Sequence, residues 1–174
     1  MGRLIEDLLF LSRAEVGAVR FEMQQIAVQD VLDIALEGGR VLAAANGLLL
    51  HSVMPGDLCL VRGDAERLVQ ALLIAIDNAV KYSDENATIE VGLECGSPEA
   101  VITIRNAGPD IPEADLPFVF NRFYRGRHTA GRETAGSGLG LPIAKWIVDT
   151  HGGSVALESR NRETVLRINL PTAA

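Results

Sequence analysis

Three glycines and a serine open the apolar run Gly136-Ser-Gly-Leu-Gly-Leu-Pro-Ile-Ala-Lys145, and those residue types at that spacing suit the holding of phosphate. The first-turn N–H groups of a helix lack intrahelical acceptors and carry the positive end of its dipole, so oxygen anions are stabilised there. Glycine lets backbone approach an anion closely and take up positive φ. Gly136, Gly138 and Gly140 therefore suit a phosphate cradle, with the Ser137 hydroxyl as a further donor. A flexible connection ahead of a helix has the same composition, so the motif gains its meaning from the segments around it.

Three other segments precede it. Residues Asp64 to Ser83 read as an amphipathic helix, with Leu68, Leu72, Ala75 and Ala79 on one stripe, Asp64 as N-cap, and Asn78, Lys81 and Tyr82 near the end. The amide oxygen of Asn78 is the type of ligand Mg²⁺ takes while keeping waters and bridging phosphates. Lys81 lies on the same face and suits phosphate, or an i, i+4 pair with Asp77. Asn106-Ala-Gly-Pro-Asp-Ile-Pro112 breaks the apolar strand Val101 to Arg105 with a turn, and Phe118-Val-Phe-Asn-Arg-Phe-Tyr-Arg125 follows it.

In that order the four blocks resemble the N box, first glycine box, F box and second glycine box of the catalytic, ATP-binding domain of bacterial sensor histidine kinases. The wider superfamily also holds gyrase, the heat-shock chaperone of ninety kilodaltons and the mismatch-repair ATPase MutL. The resemblance runs from about residue 25 to the end, and the ordered set is far more specific than any one short motif. It implies Mg²⁺ held through Asn78, Lys81 near phosphate, and Tyr82 against adenine or ribose. It also implies adenine read by Asn106 with Gly108 and Ile111 beside it, and phosphates on Gly136, Ser137, Gly138, Leu139 and Gly140. Arg122 and Arg125 match F-box positions and are expected to meet the transferring phosphoryl group. Arg127 and Arg132 add charge to a segment, 125–135, that the resemblance makes an ATP lid. Phe120 and Phe123 are expected to anchor the base of that lid in the core.

Four departures from the family pattern bear on activity. Asn106 stands where Asp is usual, which keeps an acceptor for the adenine amino group but loses its charge. Asp110 stands at a usual glycine; a positive φ there is tolerable for Asp. Ile74, one turn before Asn78, replaces the Glu with which related ATPases activate water and the Asn usual in kinases, so rapid hydrolysis is not expected. Finally, His51, His128 and His151 all lie outside any dimerisation helix, so the phosphoacceptor must come from elsewhere. His151 is expected to cap its own helix.

These observations lead to a phosphoryl donor that uses ATP and Mg²⁺ on a histidine of an absent dimerisation and histidine-phosphotransfer helix, with a response regulator downstream. The alternative is a degenerate nucleotide-binding or pseudokinase interaction module, motivated by Ile74, Asn106 and Asp110. A MutL-like ATPase or an anti-sigma serine kinase fits less well, given the F box and the missing Glu.

The elements that must position these residues follow from periodicity and turn chemistry. Residues 1–15 carry a helical seam of Leu4, Ile5, Leu8 and Leu11, similar to the end of the second dimerisation helix in these kinases; an ordinary helix packing on its own domain has the same pattern. Strand 21–26 and helix 28–45 follow, the helix loosened by Gly38-Gly39. Extended segments 48–53 and 58–61 flank Met-Pro-Gly-Asp, hairpin 87–95/100–105 surrounds Gly96-Ser-Pro-Glu99, helix 140–150 stops at His151-Gly-Gly153, and hairpin 154–159/164–170 closes the chain. The resulting fold class is α+β, an α/β sandwich with a mixed sheet covered on one face by helices. The resemblance makes it a Bergerat ATP-binding fold with a short N-terminal helical stub, divided into a dimerisation-helix end and linker (1–20) and a catalytic domain (21–174).

Bulk composition agrees. A chain of 174 residues, 48% hydrophobic, is long enough for one well-cored domain. Its 16 basic and 23 acidic residues give a net charge of −7, which argues against nucleic-acid binding. No apolar run approaches the roughly 18 residues of a membrane span, so no membrane contact is expected of this fragment. The resemblance suggests the cytoplasmic part of an inner-membrane sensor. Cys59 and Cys95 are too few for a disulfide framework and are expected to be buried, unbonded thiols in a reducing compartment.

Overall fold

The structure, a computed structural model, describes residues 2–125 and 136–173. In chain order its elements are α1 (Gly2–Glu15), β1 (Gln24–Ala27), α2 (Val28–Ala45), β2 (Leu49–Val53), β3 (Leu60–Gly63), α3 (Ala65–Tyr82), β4 (Thr88–Cys95), β5 (Glu99–Ala107), a 3-10 turn (Leu116–Phe118), α4 (Gly140–Thr150), β6 (Ser154–Arg160) and β7 (Glu163–Pro171). The main sheet has five strands in the order β2-β4-β5-β7-β6; β2 joins β4 in parallel and the other pairs are antiparallel. The segments either side of Met-Pro-Gly-Asp part company: β2 enters this sheet, whereas β3 pairs with β1 in a separate two-stranded ribbon.

Alternation decides which face is covered. Ile89, Val91 and Leu93 of β4, Ile102 and Ile104 of β5, and Leu166, Ile168 and Leu170 of β7 point inward and are buried, while the residues between them are more exposed. Against this face lie the buried stripes of α2 (Leu32, Ala35, Leu36), α3 (Leu72, Ala75, Ile76) and α4 (Ile143, Ile147, Val148), forming one core. Each large apolar side chain taken out of water here stabilises the fold by about 1.5–3 kcal/mol. The expected mixed sheet with helices on one face is what the chain builds.

Gly38-Gly39 does not loosen α2, which runs unbroken from Val28 to Ala45. A Cβ at Gly39 would lie 3.0 Å from Ile76 Cγ2, and one at Gly38 would lie 2.9 Å from Leu73 Cδ2. The glycines let α2 and α3 approach closely, which outweighs their low helix propensity.

The cysteines also differ from expectation. Cys59 is fully buried, but Cys95 is exposed at the end of β4, and the two form a disulfide with Cα atoms 5.6 Å apart. Spacing along a sequence cannot reveal that a ribbon and a sheet edge bring two sulfurs together.

α3 starts as expected: the Asp64 carboxylate accepts the Arg67 N–H at 3.1 Å and also the Glu22 N–H at 2.9 Å. His151 closes α4 with its Nδ1 on the Ile147 carbonyl at 2.7 Å, while its Nε2 accepts the Asp64 N–H at 2.9 Å. The ring is thereby fixed with its proton on Nδ1 and ties the end of α4 to the start of α3.

Candidate nucleotide site

Asn78 and Lys81 lie on the half-buried flank of α3, and Tyr82 ends the helix. The Lys81 ammonium is 2.6 Å from Asp77 Oδ2, so it is already paired within its own helix. Lysine carries three donors, and this pair leaves capacity for a second anion.

The second glycine box stands directly against this helix. A Cβ at Gly140 would be 3.2 Å from Ile74 Cγ2, so α4 begins beside α3 one turn before Asn78. Gly138 has φ +69°, and a Cβ there would come within 2.9 Å of the Phe123 backbone. Only glycine meets both demands. No side chain caps the start of α4, which leaves its first-turn N–H groups for an external anion. Leu139 is fully buried, backbone included, so its neighbours Gly138 and Gly140 are the more accessible backbone here. Ser137 Oγ receives the Leu139 N–H at 3.3 Å and sits 3.4 Å from Asp7 Oδ2 of α1.

The F box joins the glycine box through backbone: the Phe123 N–H donates to the Gly138 carbonyl at 2.9 Å. Phe123 takes φ +61° to make that bond, and its ring swings out to 61% exposure. It is therefore not a core anchor; Phe120 is half-buried. Arg122 forms an ion pair with Glu15 of α1, and Arg125 is exposed. Arg127, Arg132, His128 and most of the expected lid lie outside the described residues.

Asn106 is not in the turn after β5 but within the strand, paired with Thr164 of β7 and only 4% exposed. Inward alternation with Ile102 and Ile104 explains this placement. Its amide nitrogen lies 3.5 Å from where a Cβ on Gly108 would stand, so the amide adjoins the first glycine box. Beside it, a Cβ on Gly108 would collide with the Tyr82 carbonyl, so this glycine is required for the first glycine box to meet the end of α3. An amide beside a glycine-lined junction carries the acceptor that an adenine amino group needs.

Sequence reasoning missed the brace behind the first glycine box. β6 and β7 are joined by Asn161 and Arg162, at φ +56° and +61°, a two-residue hairpin turn of the I′ class. From it, the Arg162 carbonyl accepts the Gly108 N–H at 2.9 Å, the Arg162 N–H donates to Asp110 Oδ1 at 2.7 Å, and the guanidinium reaches Asp84 at 2.7 Å. Asp110 thus serves by its carboxylate, without positive φ. The Ile111 N–H donates to Ser159 Oγ at 2.9 Å, and that hydroxyl is 3.0 Å from Thr164 Oγ1. The hairpin was legible, but the side-chain partners of its turn residue Arg162 are 52 and 78 residues away.

Residues 63–174 match the family model described as histidine kinase-, DNA gyrase B- and HSP90-like ATPase. The chain belongs to this ATPase family. The match spans α3, both glycine boxes and the F box, so ATP is the nucleotide the fold is built around. Among curated relatives, the sensor histidine kinase YkoH of Bacillus subtilis is 34% identical over 92% of this chain, and the histidine-protein kinase/phosphatase MprB of Mycobacterium sp. (strain KMS) is 39% identical over 91%. The solved mycobacterial sensor histidine kinase MprB superposes with a TM-score of 0.73 at 29% identity, covering 86% of this chain and 97% of that one. The chain spans about a third of the length of the curated relatives, 34% for YkoH and 29% for MprB.

Proposed function

We propose that this chain is the phosphoryl-donating half of a two-component sensor kinase, binding Mg·ATP and passing the γ-phosphoryl to a histidine on a dimerisation helix. A response-regulator aspartate would receive it next. The observation that carries this reading is the uncapped start of α4, packed through Gly140 onto α3 one turn before Asn78, with Gly108 and the Asn106 amide meeting the end of the same helix at Tyr82.

In this reading Asn106 accepts the adenine amino group, and Gly108, Ile111 and Tyr82 border the ring. The backbone of Gly136, Gly138 and Gly140, with Ser137 Oγ, holds phosphate oxygens, and the buried Leu139 anchors the segment between them. Lys81, Arg122 and Arg125 supply positive charge to the transferring group. Mg²⁺, when bound, would neutralise phosphate charge from a position held through the Asn78 amide oxygen. Ile74 has no lone pair with which to orient water, which favours transfer over hydrolysis.

His51 is on exposed β2 and His151 is buried in a helix cap, so neither supports an acceptor role. Residues 1–20 then form the end of the dimerisation helix and its linker, and 21–174 the catalytic domain. The exposed Leu4, Ile5 and Leu8 of α1 suit a helical partner. No helix among the described residues is long and apolar enough to cross a membrane. We place the fragment on the cytoplasmic side of an inner-membrane sensor. A degenerate nucleotide-binding module is the second reading, favoured by the engagement of Lys81 with Asp77 and of Arg122 with Glu15.

Titration with a fluorescent ATP analogue, with and without Mg²⁺, separates the two. The kinase reading expects saturable binding that Mg²⁺ strengthens and that Asn78→Ala makes insensitive to Mg²⁺. With the dimerisation helix supplied, acid-labile phosphohistidine should then form. Absence of saturable binding at millimolar nucleotide favours the module, and transfer unchanged by Asn78→Ala overturns the metal role.

A further inference from the structure

The disulfide between Cys59 and Cys95 lies outside everything the nucleotide site uses. It closes a loop of sequence separation 36 that contains β3, α3 and the whole of β4, so it covalently brackets the helix bearing Asn78. Its two ends differ in access. Cys59 is 0% exposed, whereas Cys95 is exposed at the tip of the β4–β5 hairpin.

Both backbones are held without the sulfur bond. The Cys59 carbonyl accepts the Val28 N–H at 2.8 Å, and its N–H donates to Gln29 Oε1 at 3.1 Å. Cys95 is in register with Ala100, and the adjoining Gly96 N–H donates to the Glu99 carbonyl at 3.1 Å. Two thiols fixed in this way stay neighbours when reduced, with Cα atoms in the range a disulfide accepts. The bond can therefore open and close on a folded chain.

We propose that Cys59 and Cys95 are a reversible thiol–disulfide exchange site, oxidised by a small-molecule disulfide of the glutathione class through the exposed Cys95. The Cys95 thiolate attacks one sulfur of glutathione disulfide; a Cys95–glutathione bond forms, the glutathione S–S bond breaks, and one glutathione thiolate leaves. Cys59 attacks the Cys95 sulfur, the Cys95–glutathione bond breaks, and the departing second glutathione thiolate takes up the Cys59 proton. Two protein thiols are oxidised and one glutathione disulfide is reduced to two thiols. Reduction reverses these bonds, with an external thiolate attacking Cys95 and Cys59 leaving. Burial closes the Cys59 sulfur to direct attack.

The test uses the whole chain equilibrated, without denaturant, in glutathione buffers from fully reduced to fully oxidised, followed by alkylation and mass spectrometry. Two free thiols are expected at the reduced end and none at the oxidised end, reached from either direction. The oxidised form should melt about 5–15 °C higher, the shift expected for closing a loop of this size in a chain of this length. Cys59→Ser should accumulate one glutathione on Cys95, and Cys95→Ser should leave Cys59 unmodified. The proposal is overturned if the pair stays bonded in millimolar reduced glutathione until the chain is unfolded, if no disulfide forms at the oxidised end, or if glutathione is found on Cys59. Should a serine variant fail to fold, the wild-type titration still decides. No nucleotide enters the readout, so the result is independent of the kinase reading.

Discussion

Ile74 of α3 meets Gly140 at the start of α4, with Ile74 Cγ2 only 3.2 Å from where a Cβ on that glycine would stand. The position at which related ATPases carry a water-activating Glu is here a packing surface for the second glycine box. Gly140→Val should destabilise the chain by about 1–3 kcal/mol through overpacking. In an Ile74→Ala background that increment should shrink by about 1 kcal/mol, because the opposing methyl is gone. Urea denaturation of the four proteins in the cycle measures the coupling; strictly additive effects would show that the two residues do not touch.

Restoring the family's glycine at residue 110 should harm this protein. The Asp110 carboxylate accepts the Arg162 N–H at 2.7 Å, which secures the β6–β7 turn against the first glycine box. Asp110→Gly removes that acceptor and loosens the unfolded chain, for a loss of about 1 kcal/mol. A Tm unchanged or raised in Asp110→Gly would contradict the brace.

Asn106→Leu should divide binding from stability. Asn106 is 4% exposed and alternates inward with Ile102 and Ile104, so an apolar side chain of similar volume suits its place in the strand. If that amide reads adenine, ATP-analogue affinity should fall about tenfold or more, equivalent to about 1.4 kcal/mol, while Tm stays within about 2 °C of wild type. Calorimetric titration alongside thermal melting makes the comparison. Unchanged affinity would remove Asn106 from the nucleotide site.

What the sequence disclosed, and what it hid, divides by range. α2, α3 and α4 were readable from apolar stripes, the Asp64 cap and the His151-Gly-Gly stop, because each signal acts within a few residues. The strands were readable too, but not their pairing: nothing local separates β2 and β3 into different sheets. The order of the four blocks pointed to the family, since backbone geometry at Gly138 and Gly140 leaves its mark on residue type. The Arg162 brace, the Ser137–Asp7 and Arg122–Glu15 contacts and the Cys59–Cys95 bond left none, because Arg, Asp, Glu and an exposed Cys are all ordinary surface residues until the chain folds. Gly38-Gly39 was misread for the opposite reason: the residue type was visible, but its purpose, close helix approach, needed the partner helix.

Asp64 should make stability sensitive to acid. Burial of its carboxyl opposes ionisation, but the Glu22 and Arg67 N–H groups and the Arg67 charge outweigh that and hold its pKa below the ordinary carboxylate value. A folded pKa below the unfolded one means that the unfolded chain binds more protons in the interval between them. The stabilisation is then fully present above the unfolded value, near pH 4, and is lost as pH falls through the lower folded value. Asp64→Asn keeps an oxygen for the cap but cannot titrate, so its stability should fall less steeply than wild type between about pH 4 and pH 2. Asp64→Ala should lose about 1–2 kcal/mol at pH 7, where both the cap and the hold on Glu22 are missing. Urea midpoints for the three proteins across that range test the assignment, and parallel pH profiles for wild type and Asp64→Asn would place the acid-sensitive group elsewhere.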